Sequence, residues 1–241
     1  MIVEPVAGRA AVLPAVILAG GLGTRLGPIT RTTPKPLVTV AGRPILHWIL
    51  TWLAASGVPE VLLLAGHLGD RIVAFAGDGG QWGIRARVSV EPSPLGTGGA
   101  LVHAAALLPE AFLLLYGDSY LPMDYASLSH AFASAQGDAM MVVYEDAEGV
   151  TGVERNALVE GNRVTRYSKG DRMALTHIDA GVVAMRRRVI ETLPKGVSAL
   201  ELDLYPVLAK EERLLAYPIA QRFYDVGTTA RLDELDRVLR K

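Results

Sequence analysis

The run Leu18-Ala19-Gly20-Gly21-Leu22-Gly23-Thr24-Arg25-Leu26, closing on Pro34-Lys35-Pro36-Leu37, decides the reading of this chain. It comes after an apolar stretch, residues 15–18, that is too short for a helix and reads as a buried strand. Glycines set directly after a strand let the backbone come close to a ligand, and their N–H groups can turn toward phosphate oxygens. The pattern predicts a phosphate cradle at the carboxyl end of the first strand. Two better-known glycine loops are excluded. Counting G-x-G-x-x-G from Gly21 puts Leu26 at the last glycine, and no acid lies about 20 residues beyond. No Gly-Lys-Ser/Thr comes after it either, so the loop is not a P-loop.

Outward from this segment, short apolar runs alternate with helical stretches. Residues 61–64, 87–90 and 112–115 read as further strands. Residues 45–56 read as a helix closed by Gly57, and 99–108 as a helix ending before Pro109. Such alternation predicts an α/β fold with a mostly parallel sheet and helices on both faces, whose ligands bind at the carboxyl ends of the strands. Residues 139–143 form another strand, and Ala157–Glu160 pairs with 163–168 across Gly161-Asn162, a dipeptide suited to a tight hairpin. Residues 177–185 read as a strand, 188–193 as the start of a helical stretch and Thr229–Leu239 as a closing helix. Without an internal repeat or linker, a single domain over residues 1–241 is expected.

The chain has 241 residues, half of them hydrophobic, which suffices for a large core. A net charge of −1 argues against a nucleic-acid partner held by phosphate neutralisation. The absence of cysteine removes disulfides, thiolate metal sites and a thiol nucleophile. Glu4, Pro5, Arg9 and Pro14 interrupt any leader-like apolar run, and about 18 consecutive apolar residues occur nowhere, so no membrane partner and a cytoplasmic location are expected.

The segment from Leu18 to Leu37 resembles the signature of the sugar-1-phosphate nucleotidyltransferases, L-A-G-G-x-G-T-R-L, a spacer, then P-K-P. The likeness extends from about residue 15 to the end and is greatest to the mannose- and heptose-1-phosphate guanylyltransferase branch. It implies a Rossmann-like three-layer α/β fold with a mostly parallel mixed central sheet, here expected without the C-terminal β-helix of some relatives. It also implies a nucleotide site at Leu18, Ala19, Gly20, Gly21, Gly23 and Thr24. Arg25 and Lys35 are the expected catalytic cations: a planar fork suits a phosphate, and a compact ammonium suits charge building at the α-phosphorus.

Asp118, after Gly117 at the end of the 112–115 run, and Asp225, in Phe223-Tyr224-Asp225-Val226-Gly227-Thr228, resemble the family's two metal-binding aspartates. Mg²⁺ is the implied cofactor, since it keeps several waters and takes one or two carboxylates plus phosphate oxygens. Pro94-Leu95-Gly96-Thr97-Gly98-Gly99 matches the family's second nucleotide loop, adding Pro94, Gly96, Thr97 and Gly98 to the nucleotide contacts. Glu91 precedes it, and a carboxylate there can accept both N1–H and N2–H of guanine. Gly117, Asn156, Lys169 and Asp179 are the expected sugar-phosphate contacts. The local Tyr167-Ser168-Lys169-Gly170 departs from the family's E-K-P form, and Asp179 stands where Asn is common, so the sugar stays open.

The implied partners are a nucleoside triphosphate and a sugar 1-phosphate, and the implied activity is an NDP-sugar pyrophosphorylase, GTP being favoured by Glu91. A uridylyltransferase for an amino-sugar 1-phosphate is the alternative within the class. A catalytically inactive nucleotide-sugar-binding regulatory subunit is the alternative outside it. The five histidines show no i, i+4 pair, Arg186-Arg187-Arg188 reads as a solvated turn, and Trp48 and Trp52 read as packing on one helix.

Overall fold

The computed structural model of the chain describes residues 12–21, 23–168 and 175–240. Its strands are β1 (Ala15–Ala19), β2 (Thr39–Val40), β3 (Arg43–Pro44), β4 (Glu60–Ala65), β5 (Arg85–Val90), β6 (Ala111–Tyr116), β7 (Ser119–Tyr120), β8 (Ala139–Tyr144), β9 (Ala157–Glu160), β10 (Arg163–Tyr167), β11 (Ile178–Arg186), β12 (Leu214–Ile219) and β13 (Tyr224–Asp225). The helices are α1 (Ile45–Ala55), α2 (Gly69–Ala76), α3 (Gly96–His103), α4 (Tyr125–Ser134), α5 (Tyr205–Lys210) and α6 (Thr229–Leu239).

Nine strands form one sheet in the order β5-β4-β1-β6-β11-β8-β12-β10-β9. By their pairings, only β11 and β10 run against the rest, so the sheet is mixed but mostly of one direction. The central strands β1, β4 and β6 are near-continuous buried apolar runs because both their faces are covered. Ile17, Leu63 and Leu113 face one core with Ile49, Ile72, Leu128 and Leu235 from α1, α2, α4 and α6. Val16, Leu62 and Leu114 face the other with Leu101 of α3 and Leu208 of α5. The result is the three-layer α/β architecture that the alternation predicts.

Several elements differ from the sequence reading. Helix α3 begins at Gly96, so the glycines of the second loop form its first turn, and it passes into a 3-10 turn at Ala105–Leu107. The stretch after Arg186 is a 3-10 helix, Arg187–Thr192. Strand β12 carries Pro218, which argues against a strand, but its outer edge pairs with β10 only at Leu215, so the missing N–H leaves no gap in the ladder. The arginine run belongs to the amino ends of the strands, where Arg188 and Arg213 each bring Nε to 2.6 Å from a carboxylate oxygen of buried Asp138. The tryptophan indoles of Trp48 and Trp52 donate to the carbonyls of Val40 and Met123 at 2.9 and 3.0 Å. No helix among the described residues is long and apolar enough to cross a membrane.

Candidate active site

Strand register builds the site. Ala19 pairs with Ala65, and Ala65 with Val90, so the next residues out, Gly20, Gly66 and Glu91, meet at one carboxyl end. The Glu91 amide donates to the Ala65 carbonyl at 2.9 Å and holds the side chain over Gly66. A Cβ on Gly66 would collide with Glu91 Oε1, and one on Gly20 would stand 3.2 Å from the same oxygen. These glycines make room for a carboxylate.

A cavity of about 160 Å³ opens there, lined by Leu18, Gly20, Gly21, Glu91, Pro94, Gly96 and Thr97 among the expected residues, and by Leu64 and Ala100 in addition. Glu91 therefore turns into the cavity. Burial pushes its carboxyl above the usual value of 4.5, while the Leu95 N–H and His103 pull it back. Gly98 is not among the lining residues: a Cβ there would meet Ser198 Oγ at 2.6 Å, and its N–H donates to the Ser198 carbonyl at 2.9 Å. The second glycine of the loop is small because it packs against Ser198.

Gly66 is missing from the sequence-derived site, although it succeeds an apolar strand just as Gly20 does. Gly66→Ala is expected to displace Glu91 and raise the KM for nucleotide by about tenfold or more, since misplacing a contact by about 1 Å is costly. Steady-state kinetics checks it, with an unchanged KM counting against the arrangement.

The first motif divides between two tasks. Gly23 sits at φ +63°, and a Cβ on it would press on Thr30 Cγ2 at 2.8 Å and Lys35 Cβ at 3.2 Å. Its carbonyl accepts from the Thr30 hydroxyl at 3.1 Å. Lys35 thus packs beneath the glycine loop, buried at 8% exposure, and forms an ion pair with Asp118. Arg25 is exposed on the 3-10 segment Thr24–Arg31, and its side chain makes no hydrogen bond or ion pair with the described residues. Lys169 lies outside the described residues, as does the side chain of Thr24.

Asp118 and Asp225 come together through the β7–β13 ribbon, where Ser119 pairs with Asp225 and the Val226 N–H donates to the Asp118 carbonyl at 3.0 Å. Asp225 is oriented by the Gly227 N–H at 2.6 Å and by Arg231 Nη1 at 2.8 and 3.1 Å from its two oxygens. Arg231, in the first turn of α6, carries no sequence signal. No group of three or more His, Cys, Asp or Glu converges among the described residues. Two carboxylates, each already drawing a cation, suit a hard divalent ion that takes its remaining ligands from water and phosphate.

Gly117 passes close under β1: a Cβ there would stand 2.8 Å from the Leu18 carbonyl. Beyond it, Asn156 Oδ1 accepts from the Asp179 N–H at 2.8 Å, and Asp179 Oδ1 accepts from the Gly181 N–H at 2.9 Å. The Tyr167 hydroxyl donates toward Asp179 Oδ2 at 3.5 Å. Gly181, at φ +81°, leaves room for Ser119, which brings the Asn156–Asp179 pair beside the residue after Asp118. Burial holds the Tyr167 hydroxyl well above its usual range, so it remains a donor.

A glycine loop, a cavity carrying one carboxylate and two aspartates at adjoining strands thus gather at one end of the α/β sheet. The chain belongs to the nucleotidyl transferase family, whose model matches residues 14–164. It is 31% identical over 221 residues to a mannose-1-phosphate guanylyltransferase of Mycobacterium tuberculosis, covering 89% of this chain and 61% of that protein. A mannose-1-phosphate guanyltransferase of Aspergillus oryzae is 30% identical, with 88% and 60% covered. The chain thus spans about three fifths of the length of these curated relatives. Among solved structures, HddC from Yersinia pseudotuberculosis, complexed with GMP-PN, aligns with a TM-score of 0.81 at 25% identity, covering 94% of this chain and 99% of that one. A putative glucose-1-phosphate thymidylyltransferase from Bacillus anthracis, at TM-score 0.82 and 20% identity over 95% of each chain, shares the fold.

Proposed function

We propose that the chain, acting as one nucleotidyltransferase domain, converts a nucleoside triphosphate and a sugar 1-phosphate into an NDP-sugar and pyrophosphate, with GTP and a mannose- or heptose-type 1-phosphate as substrates. The observation that carries the base is Glu91, whose carboxylate faces the cavity at the ends of β1, β4 and β5. Gly20 and Gly21 bring the backbone to the phosphates, and Leu18, Pro94, Gly96 and Thr97 wall the nucleotide. The two curated mannose-1-phosphate guanylyltransferases support this choice of base and sugar, and the GMP-PN complex of HddC supports the base.

The reaction is an in-line displacement. The sugar phosphate oxygen attacks the α-phosphorus, its bond to the pyrophosphate oxygen breaks, and no enzyme nucleophile takes part. Lys35 neutralises charge at the α-phosphate, and exposed Arg25 receives the departing phosphates with its planar fork. Asn156 and Asp179 orient sugar hydroxyls, and Lys169 pairs with the sugar phosphate. Asp118 and Asp225 would hold Mg²⁺, which would offset the negative charge of the phosphates there.

A pyrophosphate-release assay with GTP, UTP, CTP, ATP and dTTP against a panel of sugar 1-phosphates tests the proposal. Turnover is expected with GTP, abolished by EDTA and restored by Mg²⁺. Turnover with UTP alone would establish the uridylyltransferase instead. Nucleotide binding without turnover on any sugar phosphate would establish the regulatory subunit.

A further inference from the structure

Building on the proposed function, we infer that Glu201 is a positioning residue whose buried carboxylate ties the nucleotide loop to the turn carrying Asp118. It is 8% exposed and lies in a π-helical turn, Leu200–Leu204, whose next residue, Leu202, is 68% exposed. Turns of that kind are rare and frequently occur at functional sites. Glu201 Oε2 accepts from the Thr97 hydroxyl at 2.8 Å, and Oε1 accepts from the Tyr116 hydroxyl at 3.2 Å. Thr97 lines the nucleotide cavity, while Tyr116 ends β6, immediately before Gly117 and Asp118.

The Thr97 hydroxyl is committed twice, since it also accepts from the Leu200 N–H at 2.9 Å. The loop is clamped from the same side by Ser198, whose N–H donates to the Leu95 carbonyl at 3.0 Å. A buried carboxylate is costly, and an apolar residue would fill this volume without that cost. The charged acceptor instead makes both hydroxyl bonds strong ones, to the first turn of α3 and to the end of β6, both far from Glu201 in sequence. One side chain therefore sets the distance between the nucleotide wall and the acidic turn, and in-line transfer depends on that distance, because reacting atoms must meet at about 3–3.5 Å.

The test combines kinetics with hydrogen exchange on the full chain. Glu201→Ala should lower kcat by about 30-fold with the nucleotide Kd changed less than about threefold, as expected when alignment rather than binding is lost. Thr97→Val removes the loop half of the tie without emptying the core, and adding it to Glu201→Ala should cost less than about twofold more, the non-additivity of a shared contact. Glu201→Gln can accept from one hydroxyl and donate to the other, so it should keep kcat within about fivefold of wild type, as replaceable hydrogen bonds allow. Exchange at 95–100 and at 116–119 should rise together in Glu201→Ala. Multiplicative kcat losses, a Glu201→Ala kcat within about twofold of wild type, or faster exchange confined to 197–204 would overturn the tie. Wild-type turnover measured in parallel judges the proposed function separately, because the exchange pattern is read without turnover.

Discussion

Lys35→Ala is expected to cut kcat by about 10²–10³-fold, the scale seen when one preorganised charge is removed from a site of developing negative charge. The position is built to present that charge. Pro34 and Pro36 flank it in a short 3-10 turn, Gly23 packs on its Cβ, and its ammonium is held by Asp118 in a pocket that leaves it 8% exposed. A charge fixed in advance costs no reorganisation as the α-phosphorus becomes more negative. The fold should survive the change. The Asp118 side chain is 28% exposed, so the carboxylate left behind reaches water, and the loss of stability should stay at about 1–3 kcal/mol. Lys35→Arg should rescue little, because a planar fork is longer and broader than an ammonium in this enclosed space. Pyrophosphate release at saturating substrates, beside a thermal melt, separates the effects. A kcat within about threefold of wild type in a folded Lys35→Ala protein would take Lys35 out of the chemistry.

The glycine loop after β1 and the acid after β6 are legible in the sequence because their signal is local: an apolar run fixes a strand, and the residues just beyond it must lie at the sheet's carboxyl end. Glu91 is legible as a residue but not as a direction. Only the Ala19–Ala65–Val90 register shows that it turns over Gly66 into the cavity. The neighbour that explains Gly98 is hidden from the sequence, since its small size answers to Ser198, a hundred residues on in the chain. Glu201 and Arg231 are invisible for the same reason. Each sits in a segment whose local pattern is ordinary, and each acquires a role only when tertiary packing sets it against Thr97 and Tyr116, or against Asp225. Strand β12 is masked by Pro218, which local propensity counts against a strand and which is tolerated because it lies beyond the one residue, Leu215, that pairs with β10.

Glu91→Gln is expected to shift the GTP:UTP ratio of kcat/KM toward UTP by about 5- to 150-fold, the worth of one paired base contact at 1–3 kcal/mol. A carboxylate offers two acceptors to the N1–H and N2–H of guanine. The amide would keep one acceptor and set a donor against the other hydrogen, a repulsive contact, yet it complements the N3–H and adjoining carbonyl of uracil. The exchange is sharp because the side chain is wedged: Oε1 lies against Gly66 and Gly20, and the Leu95 N–H reaches Oε2 at 3.4 Å. Acid should mimic the substitution. Burial raises the Glu91 carboxyl above 4.5, so it takes up a proton at a higher pH than an exposed glutamate does. Protonation removes one acceptor from the pair that guanine needs. As pH falls through that raised value, kcat/KM for GTP should decline in wild type, whereas Glu91→Gln, having no proton to gain there, should lack that limb. Steady-state rates with both nucleotides across an acidic pH series measure the ratio and the limb together. Equal GTP:UTP ratios in wild type and Glu91→Gln, with the acidic limb kept in both, would mean that the base is read by another part of the site.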